Sequence, residues 1–148
     1  MSKFVLKSII AIKGRQQFRQ LVIVDDGFNE RQLQKDLDEG KIEIEGTLDI
    51  YEKELQRNYQ SSYRGLITIM DLFANLVSLP VTKVRNITPD GDPVTEYEFK
   101  YQDLRTYAIK IRNGPLILFC GFKNRQQSDI SKFRSLKKQF LKQGGYQL

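Results

Sequence analysis

The sequence contains no histidine and no tryptophan, one cysteine and only four prolines in 148 residues. Lack of histidine removes the commonest protein metal ligand and the commonest general base near neutral pH. Zinc chemistry and Ser-His or Cys-His nucleophile pairs are thereby excluded, and no metal or cofactor is expected. A lone thiol can form neither an internal disulfide nor a thiolate cluster. Cys120, inside the apolar run 116–122, reads as a small buried hydrophobe. The few glycines and prolines argue against long disordered tracts. No run approaches the roughly 20 apolar residues of a membrane-spanning helix. The apolar stretch near the N-terminus is broken by Lys3, Lys7 and Lys13, and no small-residue cleavage site follows it. It reads as neither a signal peptide nor a membrane span, so the expected location is the cytoplasm.

What is present is ordinary in amount and uneven in distribution. The chain is 40% hydrophobic and 28% charged, and its length suits one domain. A domain of that size buries roughly 68–70% of the surface its unfolded chain exposes, enough for a core without staples. Net charge is +6, but residues 1–94 are net −1 while residues 95–148 carry 11 Lys and Arg against 4 Asp and Glu. Such asymmetry argues for a polyanionic partner and says nothing about fold. The alternative is a solvated basic tail helix.

Hydrophobic periodicity predicts the elements. Residues 4–12 and 18–24, rich in Val, Ile and Phe and separated by Lys13-Gly14-Arg15, read as a β-hairpin ended by Asp25-Asp26-Gly27. Asn29 then offers an N-cap to a short helix with Leu33 and Leu37 on one face and Gly40 as its stop. Residues 41–45 alternate Ile with charge, as a short edge strand would. From residue 49 to about 78, Leu55, Tyr59, Tyr63, Leu66, Met70, Phe73 and Val77 recur at helical spacing, with Gly65 a candidate break and Pro80 the end. Strands are predicted at 81–87, 94–101, 106–112 and 116–122. Turn signals separate them at 88–93 and at Asn113-Gly114. The strand at 116–122, apolar throughout, should be central with both faces covered. A final helix places Phe133, Leu136, Phe140 and Leu141 inside and Arg134, Lys137, Lys138 and Lys142 outside. The expected fold class is α+β: an antiparallel sheet of three to four strands packed against helices, plus the N-terminal hairpin.

With histidine absent, work on phosphates would fall to Lys and Arg. Cleavage of RNA through the ribose 2′-hydroxyl needs a base, cations to offset charge developing on the phosphate, and an acid for the departing 5′-oxygen. Lys100, Arg105, Arg112, Lys123 and Arg125 lie on or just beyond the predicted strands. If they share one concave side they form a phosphate-binding patch; otherwise they are ordinary surface charge.

The segment from Thr95 to Phe140 resembles the C-terminal half of the RelE/HigB toxins, including their phage-encoded HigB-like relatives. Tyr97-Glu98-Phe99-Lys100 follows that family's Tyr-Glu-Leu-Arg strand with Lys for Arg. Leu104-Arg105 follows the strand that opens with Arg, and Gly121-Phe122-Lys123-Asn124 follows the Phe-x-Lys-Lys strand end. The helix before Pro80, together with Val81, Lys83 and the strand to Ile87, also suits the family, so the resemblance covers about residues 49–142. Residues 1–48 then stand as an N-terminal extension of a single domain. The resemblance implies a metal-independent endoribonuclease acting on mRNA at the ribosome and restrained by a small antitoxin protein. It places Lys100 and Arg105 nearest the scissile phosphate with Lys123 beside them. Glu98 is then either a general base or a strand glutamate paired with a neighbouring lysine. Arg112, Arg125, Lys83, Arg134, Lys137 and Lys138 are the further candidate RNA contacts. Asn124 departs from the family's second basic residue, and Asp129 and Ile130 stand where a late tyrosine or histidine often acts. The alternatives are a non-catalytic RNA-binding or regulatory relative and an accessory protein of a phage or mobile element.

Overall fold

The computed structural model describes residues 3–25 and 27–144. Its organising element is a six-stranded mixed sheet, made of β1 (Lys3–Ser8), β2 (Arg19–Val24), β3 (Val84–Asn86), β4 (Glu96–Tyr101), β5 (Leu104–Ile111) and β6 (Gly114–Phe122). The spatial order is β1-β2-β6-β5-β4-β3. Four helices pack around it: α1 (Glu30–Asp38), α2 (Thr47–Glu54), α3 (Gln60–Ala74) and α4 (Gln126–Gln143). The α+β class holds. The expectation of three to four antiparallel strands does not, because β2 pairs in parallel with β6 and draws the hairpin into the main sheet. The reason lies in β6, whose apolar side chains fill both faces and leave its outer edge in need of a partner.

One apolar layer joins α2 and α3 to the sheet through Leu48, Tyr51, Leu66 and Met70 against Phe18, Phe99, Ala108 and Ile117. A second lies beneath α4, where Phe133 and Phe140 meet Phe4, Leu21, Tyr107, Ile109 and Leu118. On α1, Leu33 and Leu37 cover Val5, Val22 and Val24. The N-terminal hairpin, the Asn29 cap whose side-chain oxygen accepts from Gln32 N–H, and the Asn113-Gly114 turn all form as their residues dictate. Strand β2 ends at Val24, and Asp26 of the expected terminating turn lies outside the described residues.

Several boundaries differ from expectation, beginning with β1, which stops at Ser8 and not at residue 12. Residues 41–45 form no strand, because Ile44 turns in against Val5 and Val22 instead of pairing. The long helix breaks at Leu55, whose backbone turns extended to bury its side chain, and not at Gly65. Gly65 stays helical because the Tyr101 ring occupies the space a Cβ would need. The stripe stops at Ala74, leaving Val77 44% exposed. Only Val84–Asn86 of the 81–87 segment pairs, with β4, and Val81 is in solvent.

Strand β1 is an edge, and its outward amide groups are closed by side-chain amides. Gln34 of α1 accepts from Leu6 N–H at 2.7 Å and donates to Leu6 C=O at 2.8 Å. Gln143 of α4 does the same at Phe4, at 2.8 and 3.0 Å. Each glutamine stands in for a neighbouring strand, which blunts an edge that would otherwise template association. Replacing Gln34 by Ala should lower stability by about 1–2 kcal/mol, the net worth of two such bonds. Thermal unfolding and light scattering at increasing protein concentration measure the loss and the growth of self-association that should accompany it.

Candidate nucleic-acid interface

Alternation along β4 places Glu96, Glu98 and Lys100 on the face that α4 covers, and β5 places Arg105, Tyr107 and Ile109 beside them. Register sets Lys100 directly opposite Arg105 and Glu98 opposite Tyr107. Both carboxylates are fully buried, so each must be met by a cation or donor.

Glu96 is met from α4. Lys137 Nζ donates to Glu96 Oε2 and to Asp92 Oδ2, both at 2.7 Å, and to the Val94 carbonyl. Arg134 Nη2 reaches Glu96 Oε1 at 3.0 Å and the Ile87 carbonyl at 2.8 Å. The sequence reading that puts Lys137 outside is therefore corrected: it is 5% exposed, because the buried Glu96 draws it inward. Arg134 is likewise committed to an internal pair, although part of its side chain reaches solvent. Of these three α4 candidates only Lys138 stands clear on the surface.

Glu98 is met from two elements. Arg85 on β3 pairs with Oε1 at 3.1 Å, and Gln126 at the start of α4 donates to Oε2 at 2.6 Å. Its partner is thus an arginine and an amide, where the sequence reading offered a lysine. Tyr107 lies beside it, and burial together with the negative Glu98 holds the phenol well above its usual pKa.

Arg105 is almost fully buried. Its Nη1 donates to the carbonyls of Gln102 and Leu104 at 2.6 and 2.8 Å, pinning the two-residue β4–β5 turn. Its Nε has no hydrogen-bond partner among the described residues. Half-buried Lys100 titrates below an ordinary lysine: desolvation is the largest cause, the positive charges of Arg85 and Arg105 add to it, and Glu98 opposes it.

The remaining candidates scatter. Lys123 and Arg125 follow β6 and open onto a separate cleft of about 640 Å³ at the end of the sheet. Arg125 lies over the Phe122 ring, 5.4 Å from its centroid. Lys83 rests on the Tyr101 ring at 4.7 Å. Arg112 sits at the opposite end of β5 from Arg105, where its carbonyl accepts from Arg19 at 2.6 Å. Sequence reasoning overlooked Arg85, Tyr107 and Gln126. Glu96, Glu98 and Lys100 at alternate positions of a covered strand were the signal, since buried charges must have partners nearby. At Asp129, the site of the family's late acid or base, the carboxylate instead accepts from Phe122 N–H at 3.3 Å and fills the space over Gly121.

Comparison with protein-family models, with curated proteins and with solved structures finds no significant match.

Replacing Glu96 by Ala leaves Lys137 buried with a weaker set of acceptors and should cost about 3 kcal/mol. Replacing surface Lys138 by Ala should change stability by no more than about 0.5 kcal/mol. Urea denaturation of the two variants measures the contrast.

Proposed function

We propose that the protein binds single-stranded RNA on the β4–β5 surface and cleaves it without a metal, as a RelE/HigB-like endoribonuclease. The observation that carries this reading is the cross-strand pair Lys100–Arg105, flanked by Arg85, in which the lysine is held below its ordinary pKa. The lowered pKa raises the share of neutral amine at a given pH, and a neutral amine can remove the proton of a ribose 2′-hydroxyl. The attached oxygen then attacks the neighbouring phosphorus. Arg85, whose side chain reaches solvent, offsets the charge that gathers on the phosphate oxygens, and the buried Arg105 adds its positive charge from beneath without touching the strand. The departing 5′-oxygen takes its proton from solvent, so turnover is slow, and the products carry 2′,3′-cyclic phosphate and 5′-hydroxyl ends. Support from the sequence is the family resemblance across residues 49–142, which covers α3, β3 to β6 and most of α4. A small antitoxin covering the basic face is the partner this reading implies.

A second reading, an RNA-binding or regulatory relative without cleavage, is favoured by the internal engagement of Glu98 and of Arg105 Nη1. The two separate in one assay on a defined single-stranded RNA in the presence of a chelator. Under the first reading, cleavage rises with pH and levels off below about 10.4, the ordinary lysine value. Lys100→Met then slows it by at least about 100-fold. Under the second, the RNA stays intact while binding weakens with salt, and Lys100→Met lowers the salt slope by about one. Intact RNA with no salt-dependent binding sinks both.

A further inference from the structure

The cleft beyond β6 takes no part in the chemistry above, yet it carries the furnishings of a base-binding site. One wall is Tyr59, in the 3-10 turn Arg57–Tyr59 that precedes α3, with Phe122 edge-on at 5.4 Å between ring centroids. Lys123 and Arg125 supply positive charge at its mouth, and the exposed carboxylates of Glu54 and Asp103 face the same space.

The walls are fixed before any ligand arrives. Lys123 N–H donates to the Asp103 carbonyl at 2.8 Å, tying the segment after β6 to the β4–β5 turn. That turn is held by the Ser62 hydroxyl on the Gln102 side chain and by Arg105 on the Gln102 carbonyl. Beneath the floor, the buried Tyr51 hydroxyl donates to the Gly121 carbonyl at 2.7 Å. A preorganised cleft loses little entropy on binding. Asp103 belongs to the same two-residue turn that joins the strands of Lys100 and Arg105, so an RNA strand crossing that turn would lay a phosphate beside the strands and a base in the cleft.

We propose that this cleft is a nucleobase subsite of that RNA strand, selective for guanine; the inference rests on the RNA reading given above. An aromatic wall with an arginine beside it stacks any base. The carboxylates make the selection, because guanine alone among the four bases presents two adjacent N–H donors, at N1 and at the 2-amino group, to one carboxylate. The cations at the mouth suit its O6 and N7 acceptors.

The test uses fluorescent 2′-O-methyl hexanucleotides, which lack the 2′-hydroxyl nucleophile and so report binding alone. Each is uridine throughout except for one central G, A, C or U. Anisotropy at fixed salt should show the G oligonucleotide bound roughly tenfold more tightly than the other three. The double variant Glu54→Gln, Asp103→Asn alters two exposed side chains and should keep the wild-type unfolding temperature. It should abolish the advantage of G while leaving A, C and U unchanged. Lys100→Ala should weaken all four equally. Equal affinity for all four bases, or a G preference that survives the double variant, overturns the subsite and spares the RNA reading. Failure of every oligonucleotide to bind overturns both.

Discussion

Two carboxylates with no access to water, Glu96 and Glu98, govern how the rest of the molecule is put together. An ion stripped of its hydration costs several kcal/mol unless partners surround it, and here they come from two elements. Helix α4 sends Arg134 and Lys137 to the first and Gln126 to the second; β3 sends Arg85. The register of α4 over the sheet, the attachment of the short β3 and the closure of the 87–95 loop are thus one electrostatic arrangement. An apolar core under α4 can tolerate sliding, whereas a helix whose two turns must each meet a particular carboxylate cannot. Docking of this helix is specified by charge as much as by the burial of Phe133 and Phe140.

That arrangement also sorts the cations of the basic C-terminal third. Lys137 and Arg134 are committed to internal acids, so not all 11 Lys and Arg of residues 95–148 are offered to a polyanion. Exposed cations of this third remain in several places: Lys123 and Arg125 at the end of the sheet, Lys110 and Arg112 near the other end of β5, and Lys132, Lys138 and Lys142 on α4, with half-buried Lys100 beside the buried Arg105.

Much of this was legible in the sequence, and the limits have physical causes. Local signals were reliable: the Asn29 cap, the Asn113-Gly114 turn and the fully apolar β6 all mean the same thing in isolation as in the fold. Pairing between distant segments left no such mark. Nothing in residues 19–24 distinguishes a strand that joins β6 in parallel from one that remains in a free hairpin, so the six-stranded sheet could not be foreseen. Helix breaks were misplaced for a related reason, since Gly65 looks like a weakness until Tyr101 is seen to require its missing side chain. Lys100 and Arg105 were singled out by type and spacing, and the strand register does set them opposite each other. Arg85 was not, because its role depends on β3 lying against β4, and Lys137 was misread because its helical position says surface while Glu96 says otherwise.

The closure of β1 by glutamines has a temporal side. Phe4 is made long before its partner, for the amide that completes its hydrogen bonding belongs to Gln143. The nascent chain therefore carries an open strand margin until α4 has emerged, and β6, the parallel neighbour of β2, is itself made well after the hairpin. Helix α1, with Gln34, is the early guard over half of that margin, present from the moment the hairpin and its following helix clear the ribosome.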